Sequence, residues 1–304
     1  MKRGTIVLLY ACVALALPAQ ASAHARSATV ALDYKLVLDH ATESLRGVGV
    51  HILDGDRSLH VVTHGVTLVV YGDVHDAMLR IGPGGTWVNR ASVTAVAEKL
   101  TTPARGWKRL SHDGDYTWHE HRLAPPPWQA TTGPVAQFDI PVTVNGKRAA
   151  IAGTFVRYAR PAMWPWLLAA VVFAGLVALA LRLQRPVTTG LGALAGIAAL
   201  TSLVAFSVAD APNGRVAWVQ IALGAGLAVA MYAALVRAHG ARRSAIAGLL
   251  GGAAAAVSLG SLGVFRHGVV VSALPANASR ALVEAAFITG VAAAATSLRK
   301  ESLR

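Results

Sequence analysis

From Met163 onward the chain is an almost continuous run of Ala, Gly, Leu and Val, broken only by short basic or proline-containing joints. Five stretches in it are long and apolar enough on sequence to cross about 30 Å of hydrocarbon at 1.5 Å per helical residue. They are Met163 to Leu183, Val187 to Ala209, Val216 to Val236, Ser244 to Phe265 and Ala281 to Leu298. The composition agrees, with 54% hydrophobic and only 14% charged residues, an unusual balance for a wholly soluble protein.

Charge orients these spans. Arg182 and Arg185 join the first two, Arg237, Arg242 and Arg243 the third and fourth, and Arg299, Lys300 and Arg304 follow the fifth. The positive-inside rule puts those stretches in the cytoplasm, which leaves the amino-terminal half outside and the carboxyl terminus inside. Trp164, Trp166 and Trp218 fall at the outer helix ends, where amphipathic rings prefer the interface. The net charge of +13 therefore points to a multi-pass protein of the cell membrane, with the bilayer as its first partner. No nucleic-acid-binding motif accompanies it.

The amino terminus agrees with export. Lys2 and Arg3 precede an apolar run from Thr5 to Leu17, and Ala21-Ser22-Ala23 is a small-x-small cleavage signal. Residues 1–23 read as a signal peptide, 24–160 as an extracytoplasmic domain and 161–304 as the membrane domain. The only cysteine, Cys12, lies in the apolar run, so the mature chain has no disulfide.

The extracytoplasmic part follows a different period. Val30 to Leu38, Val48 to Leu53, Leu59 to Val62, Val66 to Tyr71, Met78 to Ile81, Tyr116 to Leu123, Ala136 to Val144 and Ala149 to Tyr158 are short and β-branched or aromatic. Turn signals such as Asp54-Gly55 and Pro83-Gly84-Gly85 separate them, and Asn145-Gly146 is a strong two-residue hairpin signal. The expected fold is an all-β immunoglobulin-like sandwich, with a small barrel as the alternative, followed by an all-α bundle of five transmembrane helices.

Within the spans no ionisable group lies near a helix centre, which disfavours an ion or proton path. Glu284, about one turn from an outer end, is placed to pair with Arg280 at i−4 or with Arg266 and His267. Gly192-Ala193-Leu194-Ala195-Gly196 and Gly248-Leu249-Leu250-Gly251-Gly252 are small-xxx-small patterns, expected to let helices approach within a bundle, a homodimer or a partner membrane protein.

Nine of the eleven histidines lie in the extracytoplasmic half. With no thiol available, imidazole would dominate any Cu(II) or Zn(II) site there. If Tyr116 to Leu123 is one strand, His119 and His121 share a face and Trp118, Glu120 and Arg122 the other. His119-x-His121 can then hold one metal ion, or the strand can serve the fold through a buried Trp118 and a Glu120–Arg122 pair. Cleavage after Ala23 would add His24 as an amino-terminal residue, whose α-amine and imidazole suit Cu(II); cleavage after Ala25 would remove it. His24, His119 and His121 are thus the candidate metal ligands.

The runs Gly49-Val50-His51-Ile52-Leu53-Asp54-Gly55-Asp56, Leu79-Arg80-Ile81-Gly82-Pro83-Gly84-Gly85-Thr86-Trp87-Val88-Asn89 and Tyr116-Thr117-Trp118-His119-Glu120-His121-Arg122, with Ile140-Pro141-Val142 and Gly153-Thr154-Phe155, resemble a family of exported, membrane-anchored proteins of actinobacteria. The Trp-His-acid-His-Arg core is the most specific part. Where that family often continues with His-Trp-Met, this chain has Leu123-Ala124-Pro125-Pro126-Pro127. The outer half is also similar to CopC-like copper-binding domains, a resemblance that implies Cu(II) binding at His24 with other histidines and does not extend to the membrane half.

The expected function is a non-enzymatic, membrane-anchored exported β-sandwich that binds a metal, copper first, or a partner. The alternative is a structural or interaction subunit of a membrane complex with no metal site. No spacing selects a nucleophile beside a base, so no catalytic residue is assigned.

Overall fold

A computed structural model describes residues 31–39, 43–53, 57–127, 130–183, 187–209 and 218–302. The expected signal peptide and His24 lie outside them. The chain divides into two compact units, a β-sheet domain from Leu32 to Ala159 and a helical unit that includes 160–209 and 216–304.

Ten strands are described in the β-domain: β1 (Tyr34–Leu38), β2 (Val48–Leu53), β3 (Ser58–Thr63), β4 (Leu68–Tyr71), β5 (Ala77–Gly82), β6 (Gly85–Asn89), β7 (Trp107–Ser111), β8 (Asp115–His119), β9 (Gly133–Val144) and β10 (Lys147–Arg157). A seven-stranded sheet runs β1-β10-β9-β4-β5-β6-β7 and a three-stranded one β2-β3-β8. Their strands pair antiparallel throughout the described residues. The alternation of β4, β5, β9 and β10 turns Leu68, Val70, Leu79, Ile81, Ile140, Val142 and Ile151 inward, where they share one core with Leu59, Val61 and Trp118 of the smaller sheet. Hairpin β9–β10 closes through Asn145 and Gly146 at φ of 49° and 82°, the left-handed pair that a two-residue turn requires. The immunoglobulin-like expectation is met only as far as an antiparallel two-sheet domain, because the strands divide seven and three. Strands β6 and β7 and a short helix, α1 (Val93–Ala97), were not anticipated.

The helical unit corrects the expected five-span bundle. It contains α2 (Trp164–Arg182), α3 (Thr188–Ala209), α4 (Trp218–Arg237), α5 (Gly240–Leu259) and α6 (Ala276–Ser302). Among the described residues, two helices are long and apolar enough to cross a membrane: Thr188–Ala209 and Ala276–Leu298, of 22 and 23 residues. The apolar parts of α2 and α4, Trp164–Ala180 and Ile221–Arg237, fall in a shorter class; 17 residues reach only about 26 Å. The stretch Ser244 to Phe265 is not one helix. Helix α5 spends its first turn on Arg242 and Arg243, stops at Leu259, and gives way to a 3-10 turn at Leu262–Phe265.

Helices α3, α5 and α6 pack backbone to backbone through the small residues. A Cβ on Gly192 would strike the Ala247 backbone, one on Gly196 the Leu250 side chain, and one on Gly251 would lie 2.9 Å from the Gly290 carbonyl oxygen. These glycines are occupied by neighbours within the same chain. Arg280 is also used locally: Nε donates to the Val264 carbonyl at 2.8 Å, Nη2 to His267 O at 3.1 Å, and Nη1 to Asn277 Oδ1 at 3.1 Å. The expected Glu284 ion pair with it does not form among the described residues.

Candidate functional site

The Trp-His-acid-His-Arg segment is not one strand. Strand β8 ends at His119, and Glu120 caps a 3-10 turn over His121–Leu123, its carboxylate accepting the Arg122 backbone N–H at 3.3 Å. The same carboxylate accepts the Trp118 indole N–H at 3.0 Å and the Arg122 guanidinium twice at 2.7 Å, a bidentate fork. Arg122 Nη1 donates onward to the Tyr71 carbonyl at 3.0 Å. Glu120 is 2% exposed and Trp118 3%. Burial pushes the Glu120 carboxyl up, but the Arg122 hydrogen bonds and charge, with those from Trp118 and the Arg122 backbone, outweigh it and hold it below the carboxylate's ordinary value. Burial likewise works against the Arg122 charge, and the Glu120 hydrogen bonds and charge reverse it, with help from Asp73 and Glu98. The pair is a closed lock, with no oxygen of Glu120 left to act as a base.

His121 lies beside this lock, its Nδ1 3.6 Å from Glu120 Oε1, and is held mainly by two further carboxylates. Ser92 caps α1 by accepting the Ala95 N–H at 3.0 Å, and Thr94 Oγ1 accepts the Asp73 N–H at 3.0 Å while donating to Asp76 at 3.1 Å. That stitching of α1 to the β4–β5 turn brings Asp73 and Glu98 to opposite sides of one imidazole. Asp73 Oδ2 lies 2.8 Å from Nε2, and Glu98 Oε1 2.6 Å from Nδ1, off the line of a hydrogen bond. With the carboxylates on opposite nitrogens, one cation cannot be shared by all three groups.

Of the expected metal ligands, the described residues include His119 and His121. His119 closes the β8 ladder opposite Ser58, His121 belongs to the turn beyond it, and His24 lies outside the described residues. Among the described residues no group of three His, Cys, Asp or Glu side chains could hold a metal ion. The other histidines are dispersed. His51 and His60 face each other across β2 and β3, rings 6.1 Å apart. His60 Nδ1 meets Thr117 Oγ1 at 2.8 Å, and burial, with His51 beside it, pulls the imidazole below its ordinary value against the opposing charge of Asp115.

A second constellation was missed because β6 and β7 were missed. Register aligns Arg148, Thr143, Val69, Arg80, Trp87 and Arg109 in one row across six strands, from β10 to the β7 edge. The Arg80 guanidinium lies 5.4 Å from the Trp87 ring centre and 5.1 Å from that of Trp107; Arg109 lies 4.5 Å from Trp87. Arg109 Nη1 also meets His112 Nδ1 at 3.2 Å. The signal was present in the Arg80-to-Trp87 spacing around Gly84-Gly85, a pair facing across one hairpin, and in Trp107-x-Arg109, two residues sharing a face if that stretch is a strand.

Against known proteins, the chain matches no family model, no curated protein and no solved structure.

Proposed function

We propose that the protein is a membrane-embedded chain whose β-domain acts outside the cytoplasm as a non-enzymatic interaction module. The observation that carries the membrane part is the outward display of large apolar side chains by α2 and α4. Leu167, Val171, Leu176, Val219 and Leu223 are 59–72% exposed, a display that lipid accommodates and water does not. Helices α3 and α6 are the crossing elements. Lys2 and Arg3 ahead of the apolar run from Thr5 to Leu17, with the small residues that follow it, support placing the β-domain outside.

The interaction part rests on the closure of the Trp118–Glu120–Arg122 lock. A segment with every strong donor and acceptor spent internally shapes a surface and does no chemistry. The test is alkaline carbonate extraction of membranes carrying the full chain, with protease added to intact cells. The protein is expected in the pellet and its β-domain is expected to be cut from outside. Release into the carbonate supernatant, or protection of the β-domain until the cells are lysed, would sink the reading.

A further inference from the structure

The row ending in Arg80, Trp87 and Arg109 is unusual for the domain that carries it. Residues 32–159 hold thirteen Lys and Arg against twelve Asp and Glu, close to neutrality. Yet between Glu98 and Asp113 the chain has Lys99, Arg105, Lys108 and Arg109 with no carboxylate. Neither Arg80 nor Arg109 has a carboxylate partner among the described residues. Their forks are held instead against the indoles of Trp87 and Trp107, which orients the cations without neutralising them. Trp107 and Arg109 stand exposed on β7, the sheet's last strand.

Basic residues on an edge strand also deter edge-to-edge pairing. That role calls for charge alone. It leaves unexplained why two guanidiniums and two indoles interleave on one face. Interleaved Arg and Trp suit a boundary where phosphate and apolar matter meet, the guanidinium taking phosphate oxygens and the indole the zone beneath.

We propose that this face of β5, β6 and β7 docks on the anionic phospholipid headgroups of the protein's own membrane. The occupant is chosen by charge and by tethering. Six residues, 158–163, separate the last strand from the first apolar helix, so on the membrane reading above, on which this inference rests, lipid phosphate is the anion at highest effective concentration. Each arginine at such a surface is worth about five-fold in occupancy, and the attraction is lost at high salt.

Hydrogen exchange of the full chain in lipid nanodiscs tests this, reading the amides of residues 105–111. In nanodiscs containing phosphatidylglycerol these amides are expected to exchange about five-fold or more slowly than in pure phosphatidylcholine, and 0.5 M salt should erase the difference. Arg109→Gln should remove most of the protection and Arg80→Gln/Arg109→Gln all of it, with Lys35→Gln, a charge-matched change on β1, leaving it intact. Equal exchange in both lipids, or equal loss with Lys35→Gln, overturns the proposal. Equal protection by soluble glycerol phosphate in detergent would also overturn it, since the ligand would then be a free anion. Carbonate resistance is unaffected by any of these outcomes, so failure here is separable from failure of the membrane reading.

Discussion

The two units differ in the balance of what they bury and what they display. The β-domain buries its large aliphatics completely, Leu59, Leu68, Leu79, Ile81 and Ile140 among them. The helical unit buries Ala195, Ala198, Ala247, Ala254, Ala286 and Ala293 and turns Leu176, Leu223 and Val229 outward. In water, large apolar groups go inside because their burial removes the most area, at about 25 cal/mol per Å². In lipid that incentive vanishes, and helices associate where small residues allow close backbone contact. On the membrane reading proposed above, the difference is the one that two different solvents would produce.

The hardest way to break the contrast is to put a large side chain where the helical unit wants none. A Cβ on Gly290 would meet Gly251 O and lie 3.1 Å from Ala255 Cβ, with backbone on two sides and no flexible group to yield. Gly290→Leu is expected to separate α5 from α6 and abolish the helical unit's thermal transition in detergent. The β-domain's transition should survive. A single wild-type-like melt of both units would mean that the close approach is not needed.

The next test strikes the lock. Arg122→Gln leaves the Glu120 carboxylate buried without its cation, which costs about 3–5 kcal/mol when one partner of a buried pair is removed. The pH dependence follows from sign. Glu120 titrates lower when folded than its ordinary 4.5, so its contribution is fully present above pH 4.5 and fades as pH falls through the folded value. Wild-type unfolding by denaturant should show that acid loss. Arg122→Gln should be weakened already at pH 7 and lose less on further acidification, because its carboxyl no longer titrates low.

How much of this was legible depended on the range of the physics. Asn145-Gly146 and the glycine patterns of α3 and α5 are local signals, and the structure uses them locally. The end of β8 was not legible, because alternation assumes a continuing strand and does not register that Glu120 can fold back to accept the Arg122 N–H. That one capping bond moved His121 off the strand and dissolved the His119–His121 face. The short helices were over-read for a related reason. Mean apolarity runs through Gly260 and Ser261, whereas the helix stops at Leu259 and restarts as a 3-10 turn. Trp87 and Trp107 could be seen as residues, but their shared face exists only once β6 and β7 are paired.

The smallest expected effect concerns a histidine on the inner side of this division, buried like the aliphatics around it. His60 sits 9% exposed with its Nδ1 on Thr117, and burial lowers its pKa from the ordinary 6.5. An imidazole that resists protonation when folded favours the folded state above pH 6.5, and that contribution declines as pH drops from 6.5 through the lower folded value. Melting of the β-domain should therefore soften between pH 7.5 and 5.5, well above the range in which Glu120 titrates. His60→Gln, which keeps a group able to bond Thr117, should flatten that slope and leave the acid loss below pH 4.5 untouched. An unchanged slope would move the titration to another histidine. His51, stacked on His60 and exposed on β2, is the control: His51→Gln removes a neighbouring positive charge at low pH and should make the slope shallower without abolishing it.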